Sequence, residues 1–299
     1  MQYFGQSYVP YMQLYKKDGN KVPSIIRELK DNNYYSKILY GIDYYKSENT
    51  LKIIGFDQYT DLDNNGDKKG GSISDEFLID KIIQELDTKN KDKNLFYMVE
   101  TIQNHMPYTN DKYEKYDLEI TTSNLSTEAS EVIRTYAQGI YDADKQLGRL
   151  YDYIQTYEEP TIIVFFGDHH PYLDEKVNVF ENWKYFNTND ELINIYRKYN
   201  TQALILANFE LKKEDDLNYL SPDMLGTYII NHMDIKISSY YKWLYSIIND
   251  MPSSNQLIMQ DKDGNLHRIS EFDDNMKNLN DLRQNMQYKM FVKKNMKKE

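Results

Sequence analysis

Two hydrophobic periods alternate along this chain. Val22 to Leu29 (VPSIIREL) sets its apolar residues on one side, with Pro23 near the first turn, and predicts a helix. Tyr34 to Tyr40 (YYSKILY) predicts a short strand. Gly55 to Gly71 is rich in Gly, Asp and Asn and reads as a solvated loop. Ser74 is positioned to cap a helix with Asp75 and Glu76 in its first turn, running to about Lys89. Leu95 to Glu100 (LFYMVE) predicts a buried strand. Ala129 to about Tyr157 spaces Val132, Ile133, Tyr136, Ile140, Ala143, Leu147, Leu150 and Ile154 helically, and predicts the longest helix. Thr161 to Phe166 (TIIVFF) is a near-continuous apolar run, expected in the middle of a parallel sheet, and Ala203 to Ala207 (ALILA) is expected to be another buried strand. Ser221-Pro222-Asp223 opens a helix to about His232, and Tyr240 to Ile248 predicts a further one. Near the end, Gln256 to Gln260 and Asn265 to Ile269 flank Asp263-Gly264, a hairpin signal. A polar helix near Leu279 to Met290 then precedes a basic end.

This alternation predicts an α/β fold: a mainly parallel sheet flanked by helices, with a small C-terminal β-hairpin plus helix unit. The expected division is an α/β domain over residues 1–250 and an extension over 251–299. In such sheets chemistry collects at the carboxyl ends of strands. Two places qualify: Thr101 to Tyr108, after LFYMVE, and Gly167 to Pro171, after TIIVFF.

Composition narrows the picture. The 299 residues carry 36 Lys+Arg against 47 Asp+Glu, a formal net charge of −11, which argues against a nucleic-acid partner. With no Cys there is no disulfide framework, thiolate zinc site or Cys nucleophile. No apolar run approaches the roughly 18 residues of a membrane span, and the first residues have neither the basic nor the apolar region of a signal peptide. Within the Gly55–Gly71 loop, Asp61 to Asp67 resembles the start of an EF-hand calcium loop. Its twelfth place, however, is Ser72 rather than a bidentate Glu, so a solvated loop is the better reading.

The candidate chemistry rests on two short motifs. Asp168-His169 follows a glycine that lets the chain turn off its strand, and an adjacent carboxylate and imidazole suit one zinc or manganese ion. The competing reading is a capping Asp beside a satisfied polar His. At Asn104-His105, His105 is a candidate donor to a phosphate or sulfate oxygen, against a loop His fixed by a backbone contact. His170 is a candidate lining residue. His232 and His267 read as surface or capping residues.

Taken together, Gln103-Asn104-His105-Met106-Pro107-Tyr108, Tyr141 to Gly148 on the long helix, Phe166-Gly167-Asp168-His169-His170-Pro171, and Gly55-Phe56-Asp57 resemble the sulfatase-type domain of the lipoteichoic acid synthase family. That family includes phosphoglycerol transferases and belongs to the alkaline phosphatase superfamily. The resemblance spans roughly Val22 to Leu244. It implies a transferase that uses a metal-bound threonine to pass glycerol phosphate from phosphatidylglycerol, or another phosphoester or sulfate ester, to an envelope glycan or teichoic acid. It implies a divalent metal, manganese first with zinc or magnesium as alternatives. Asp168 and His169 fall on metal-ligand positions, and His105 on the phosphoglycerol-binding position.

The departures from the family pattern are equally specific. The family's nucleophilic Thr and a Glu ligand lie upstream of the matching region, and the first Thr here, Thr50, lacks the expected surroundings. A family Arg near the phosphoglycerol head group aligns with Ser47, and Tyr45 sits where an aromatic is often found. The expectation is therefore a chain that is weak or inactive by itself. Either a separate membrane-anchored N-terminal half at the extracellular face of the membrane supplies the nucleophile, or the chain is a non-catalytic module binding glycerol phosphate or anionic glycan.

Overall fold

The computed structural model describes residues 24–40, 48–62, 66–173, 177, 179–186, 188–211, 219–255 and 257–289. The expectations at Tyr45 and Ser47, and the centre of the calcium-like loop (63–65), lie outside them.

The first helix, α1 (Ile25–Lys30), is capped by Ser24, whose hydroxyl accepts from the Arg27 N–H and donates to the Ile54 carbonyl at 2.6 Å. Asn33, in a left-handed conformation at φ 65°, then turns the chain into β1 (Tyr34–Tyr40). Next come α2 (Glu48–Ile54), β2 (Gln58–Asp61), a tight hairpin of β3 (Lys68–Lys69) and β4 (Ser72–Ile73), α3 (Asp75–Thr88), and β5 (Asn94–Glu100). The expected loop over Gly55–Gly71 is thus partly structured. Its polar side chains hid a strand because edge strands tolerate polarity.

β1 lies between β2 and β5, parallel to both, with Tyr34 opposite Asn94 and Tyr40 opposite Glu100. Alternation along β1 feeds two cores. Ile38 and Tyr40 meet Ile26, Leu51 and Phe56 on one face, while Leu39 meets Leu62, Ile73 and Leu78 on the other. Each such buried apolar side chain contributes about 1.5–3 kcal/mol. The Gly55-Phe56-Asp57 turn belongs to this framework. Phe56 is in the core, and Asp57 accepts from both the backbone N–H and the hydroxyl of Ser36, each at 2.9 Å.

Beyond β5 runs α4 (Thr127–Gln155), the 29-residue helix, capped by Ser126. It packs on α3 through Ile79, Leu150 and Ile154. Then follow β6 (Ile162–Phe166), α5 (Val179–Asn182), α6 (Glu191–Tyr199), β7 (Ala203–Ala207), α7 (Pro222–Asn231) and α8 (Ser239–Ser246). β6 does not sit in the middle of a parallel sheet. It pairs antiparallel with β7, Ile162 opposite Ala207, and Phe166 and Leu204 remain exposed. A continuous apolar run specifies a strand but not its neighbours, so neither the partner nor the burial of these strands was readable from pattern.

The tail forms β8 (Ser253–Ser254), β9 (Ile258–Gln260) and β10 (Leu266–Arg268), an antiparallel sheet of order β10-β9-β8, and then α9 (Asp274–Tyr288). It is anchored by the buried Arg283, which bonds Asp223 at the start of α7 and the Ser254 hydroxyl. No described helix is long and apolar enough to cross a membrane.

Candidate functional site

The two strand ends singled out above are the carboxyl ends of β5 and β6. They sense one another electrostatically. Burial first, and then the charge of Asp168, raise the Glu100 carboxyl above its ordinary range.

After β6, the Gly167 N–H donates to the Gln202 carbonyl at 3.1 Å, and the Gly167 carbonyl accepts from the Thr201 hydroxyl at 2.7 Å. This ties the turn to the residues before β7. Asp168 and His169 project from it, about two-thirds exposed, with His169 Nε2 at 3.5 Å from Asp168 Oδ2. His169 Nδ1 lies 2.7 Å from the His170 carbonyl. A carbonyl can only accept, so Nδ1 carries a proton, which leaves Nε2 as the ring atom facing Asp168. The oxygen–nitrogen donor set of the pair is of the kind that suits manganese or zinc. Among the described residues no cluster of three His, Asp or Glu side chains is arranged to hold a metal.

His170 is half-buried instead of lining an open site. Its ring packs against Phe180, Tyr185 and Phe186, and its Nε2 lies 2.7 Å from the Arg197 carbonyl.

The segment after β5 is built differently. Gln103 is 1% exposed. Its Oε1 accepts from the Asp75 N–H at 2.9 Å, and its Nε2 donates to Asp142 Oδ2 at 2.8 Å. Asp142 is also bonded by Gln138 Nε2 at 3.0 Å and paired with Lys69 Nζ at 2.7 Å. Burial pushes the Asp75 carboxyl up to about 7, with the Asp142 charge adding to the shift and Lys69 opposing it. Asn104 lies hard against α4, where a Cβ on Gly139 would come within 2.0 Å of its Oδ1, so only glycine admits this approach. His105 is exposed at the tip. Its Nδ1 lies 2.9 Å from the Met106 carbonyl and its own carbonyl accepts from Lys112.

Of the sequence-derived candidates, Asp168 and His169 come into contact, while His105 occupies the other strand-end segment with its own partners. The Asp75, Gln138 and Asp142 contribution went unrecognised. A signal existed: Thr135, Gln138 and Asp142 recur at helical spacing along α4, and all three are buried. A polar stripe inside an otherwise amphipathic helix marks a face that grips something polar.

A model of the sulfatase family matches residues 2–235. The chain belongs to the sulfatase family. A relative from Rhizobium meliloti (strain 1021), named for cyclic beta-1,2-glucan modification, is 31% identical over 170 residues. That match covers 56% of this chain and 26% of the relative, so the chain spans about a quarter of the relative's length. The sulfatase-type fold is shared with the Streptococcus pyogenes phosphoglycerol transferase GacH, solved with sn-glycerol-1-phosphate. There the TM-score is 0.67 at 20% identity, covering 87% of this chain and 62% of GacH. It is also shared with the lipoteichoic acid synthase LtaP of Listeria monocytogenes, with TM-score 0.63 at 18% identity, covering 96% of this chain and 76% of LtaP. A Vibrio parahaemolyticus protein of the alkaline phosphatase superfamily aligns with TM-score 0.56 at 17% identity, covering 92% of this chain and 71% of that one.

Proposed function

We propose that this sulfatase-type domain binds a divalent ion and a phosphoglycerol group as part of a transferase acting on a cell-envelope polymer, either lipoteichoic acid or a glycan. The observation that carries the reading is the exposed pair of Asp168 Oδ2 and His169 Nε2, an oxygen and a nitrogen donor 3.5 Å apart at the carboxyl end of β6. Proteins of this fold are named for phosphoglycerol transfer and lipoteichoic acid synthesis, and one was solved with glycerol phosphate, which supports the substrate class.

In this reading Asp168 and His169 hold the ion, manganese first with zinc or magnesium as alternatives. When bound, such an ion neutralises charge on phosphoryl oxygens. His105 acts through Nε2. Its Nδ1 proton is given to the Met106 carbonyl, so a bond from Nε2 to a phosphate oxygen needs a second proton on the ring. The Lys112 ammonium, bonded to the His105 carbonyl, adds positive charge beside the segment. The donor is phosphatidylglycerol or another phosphoester or sulfate ester, the acceptor an envelope glycan or teichoic acid, and the place of work the extracellular face of the membrane.

A second reading, a non-catalytic module for glycerol phosphate or anionic glycan, is favoured by one observation. The exposed His105 ring and the Lys112 ammonium bonded to the His105 carbonyl offer anion contacts that need no metal. One experiment separates the two. The purified chain is titrated with Mn²⁺ and assayed on a nitrophenyl phosphodiester and on fluorescent phosphatidylglycerol. Expected is Mn²⁺ binding that is lost in Asp168→Ala, with weak turnover at most. Strong turnover abolished by Asp168→Ala would establish a working nucleophile in this chain. Glycerol phosphate binding that survives chelation but not His105→Ala would favour the module. Absence of Mn²⁺ binding would remove the metal reading.

A further inference from the structure

We propose that Gln103 is the positioning residue of His105: its side-chain amide, clamped between the start of α3 and the middle of α4, holds the β5 segment in the conformation that offers His105 Nε2 to an anion. This rests on the reading of His105 as the phosphoglycerol contact.

The geometry supports it at both ends of the amide. The Asp75 N–H belongs to the first turn of α3, where backbone donors have no partner within the helix, and Gln103 Oε1 satisfies it at 2.9 Å. The other end donates to Asp142 at 2.8 Å, a carboxylate already fixed by Gln138 and Lys69. Gln138 extends the clamp by accepting from the Asp117 N–H at 2.6 Å. A buried amide with donor and acceptor both engaged has one orientation, because a flipped amide would set its NH₂ against a backbone N–H and its oxygen against a carboxylate. From Gln103 the order passes to His105 through a short path. Asn104 is wedged against Gly139, the His105 N–H donates to the Ile102 carbonyl at 3.0 Å, and Tyr108 donates to the Asn104 carbonyl at 3.0 Å. Gln103 itself is buried and does not meet solvent, so it contacts no ligand.

The test uses the full chain and sn-glycerol-1-phosphate as probe, with affinity measured by calorimetry at pH 5 and pH 8 against the unmodified protein at the same pH. Gln103→Leu keeps the size but removes both bonds. Displacing a binding group by about an ångström is a large effect, so affinity should fall about tenfold or more at both pH values. Gln103→Glu supplies the sharper measurement. Protonated, it mimics the amide, accepting from Asp75 and donating to Asp142. Ionised, it opposes Asp142. It should bind nearly as the unmodified chain does at pH 5 and at least tenfold more weakly at pH 8. If Gln103→Leu does not fold, Gln103→Glu decides alone. Equal affinity of Gln103→Glu and the unmodified protein at pH 8, while His105→Ala loses binding, would overturn the positioning role and leave the His105 reading standing. Undiminished binding by His105→Ala would overturn that reading and the positioning role with it.

Discussion

The segments that follow β5 and β6 both end a strand at its carboxyl edge and are built in opposite ways. The β5 segment is gripped from behind: Gln103 bridges two helices, Asn104 is fitted to Gly139, and Asp142 gathers three partners. The β6 turn is tied at its base through Gly167 and Thr201, yet the Asp168 and His169 side chains stand largely in solvent, with His169 Nδ1 held by the His170 carbonyl. One region is organised by the chain itself. The other leaves its carboxylate and imidazole largely in solvent. A site for an exchangeable phosphoester profits from the first design, because prior order removes an entropic cost of binding. For the proposed metal site the second design suffices, because a bound ion would itself hold the two side chains together.

That contrast can be broken by substitution. The largest effect is expected from Asp142→Ala, which strands Gln103, Gln138 and Lys69 together. A loss of about 3 kcal/mol is expected, or about 10 °C in Tm by calorimetry. If stability were unchanged, the clamp would not be organising anything. Next in size is metal: Mn²⁺ at about a hundred times its Kd should stabilise the chain by about 2.7 kcal/mol, and not at all in Asp168→Ala. A smaller effect is expected from Gly139→Ala, whose methyl group meets Asn104. A loss of about 2 kcal/mol together with weaker glycerol phosphate binding is expected by chemical denaturation and calorimetry.

The pH dependence sharpens the same comparison. Asp75 holds its proton up to about 7 in the fold, whereas the unfolded chain releases it in the ordinary carboxylate range near 3.8. Between these values the folded state binds the extra proton, so this group's contribution to stability falls as pH rises from about 4 to about 7 and is flat above. Asp75→Asn should remove that fall, giving a Tm a few degrees above the unmodified chain at pH 8 and close to it at pH 4. An unchanged profile would show that Asp75 is not the group titrating. Smallest of all, Asp168→Ala without metal should leave Tm within about a degree, since the exposed side chain holds nothing in place.

Much of this was legible in sequence. The cap at Ser74, the long helix expected over Ala129 to about Tyr157 and found at Thr127–Gln155, the strand at Tyr34–Tyr40 and the hairpin around Asp263-Gly264 follow from local signals and appear in the fold. So does the position of Asp168-His169 and of His105, because both motifs follow apolar strands. The role of Asp75 was not legible. Near a helix start an acid is accounted for by the dipole, and nothing local says that it will be 4% exposed beside a second carboxylate. The antiparallel pairing of β6 was equally hidden.

By itself, the sequence determined where strands and helices lie and which chemical groups stand at strand ends, because periodicity, caps and turn residues act over a few neighbours. Only the tertiary structure decided which groups meet. Gln103 reaches Asp142 across 39 residues and Asp75 across 28. Contacts at such separations depend on how the whole sheet and its helices pack, and no short-range signal encodes them.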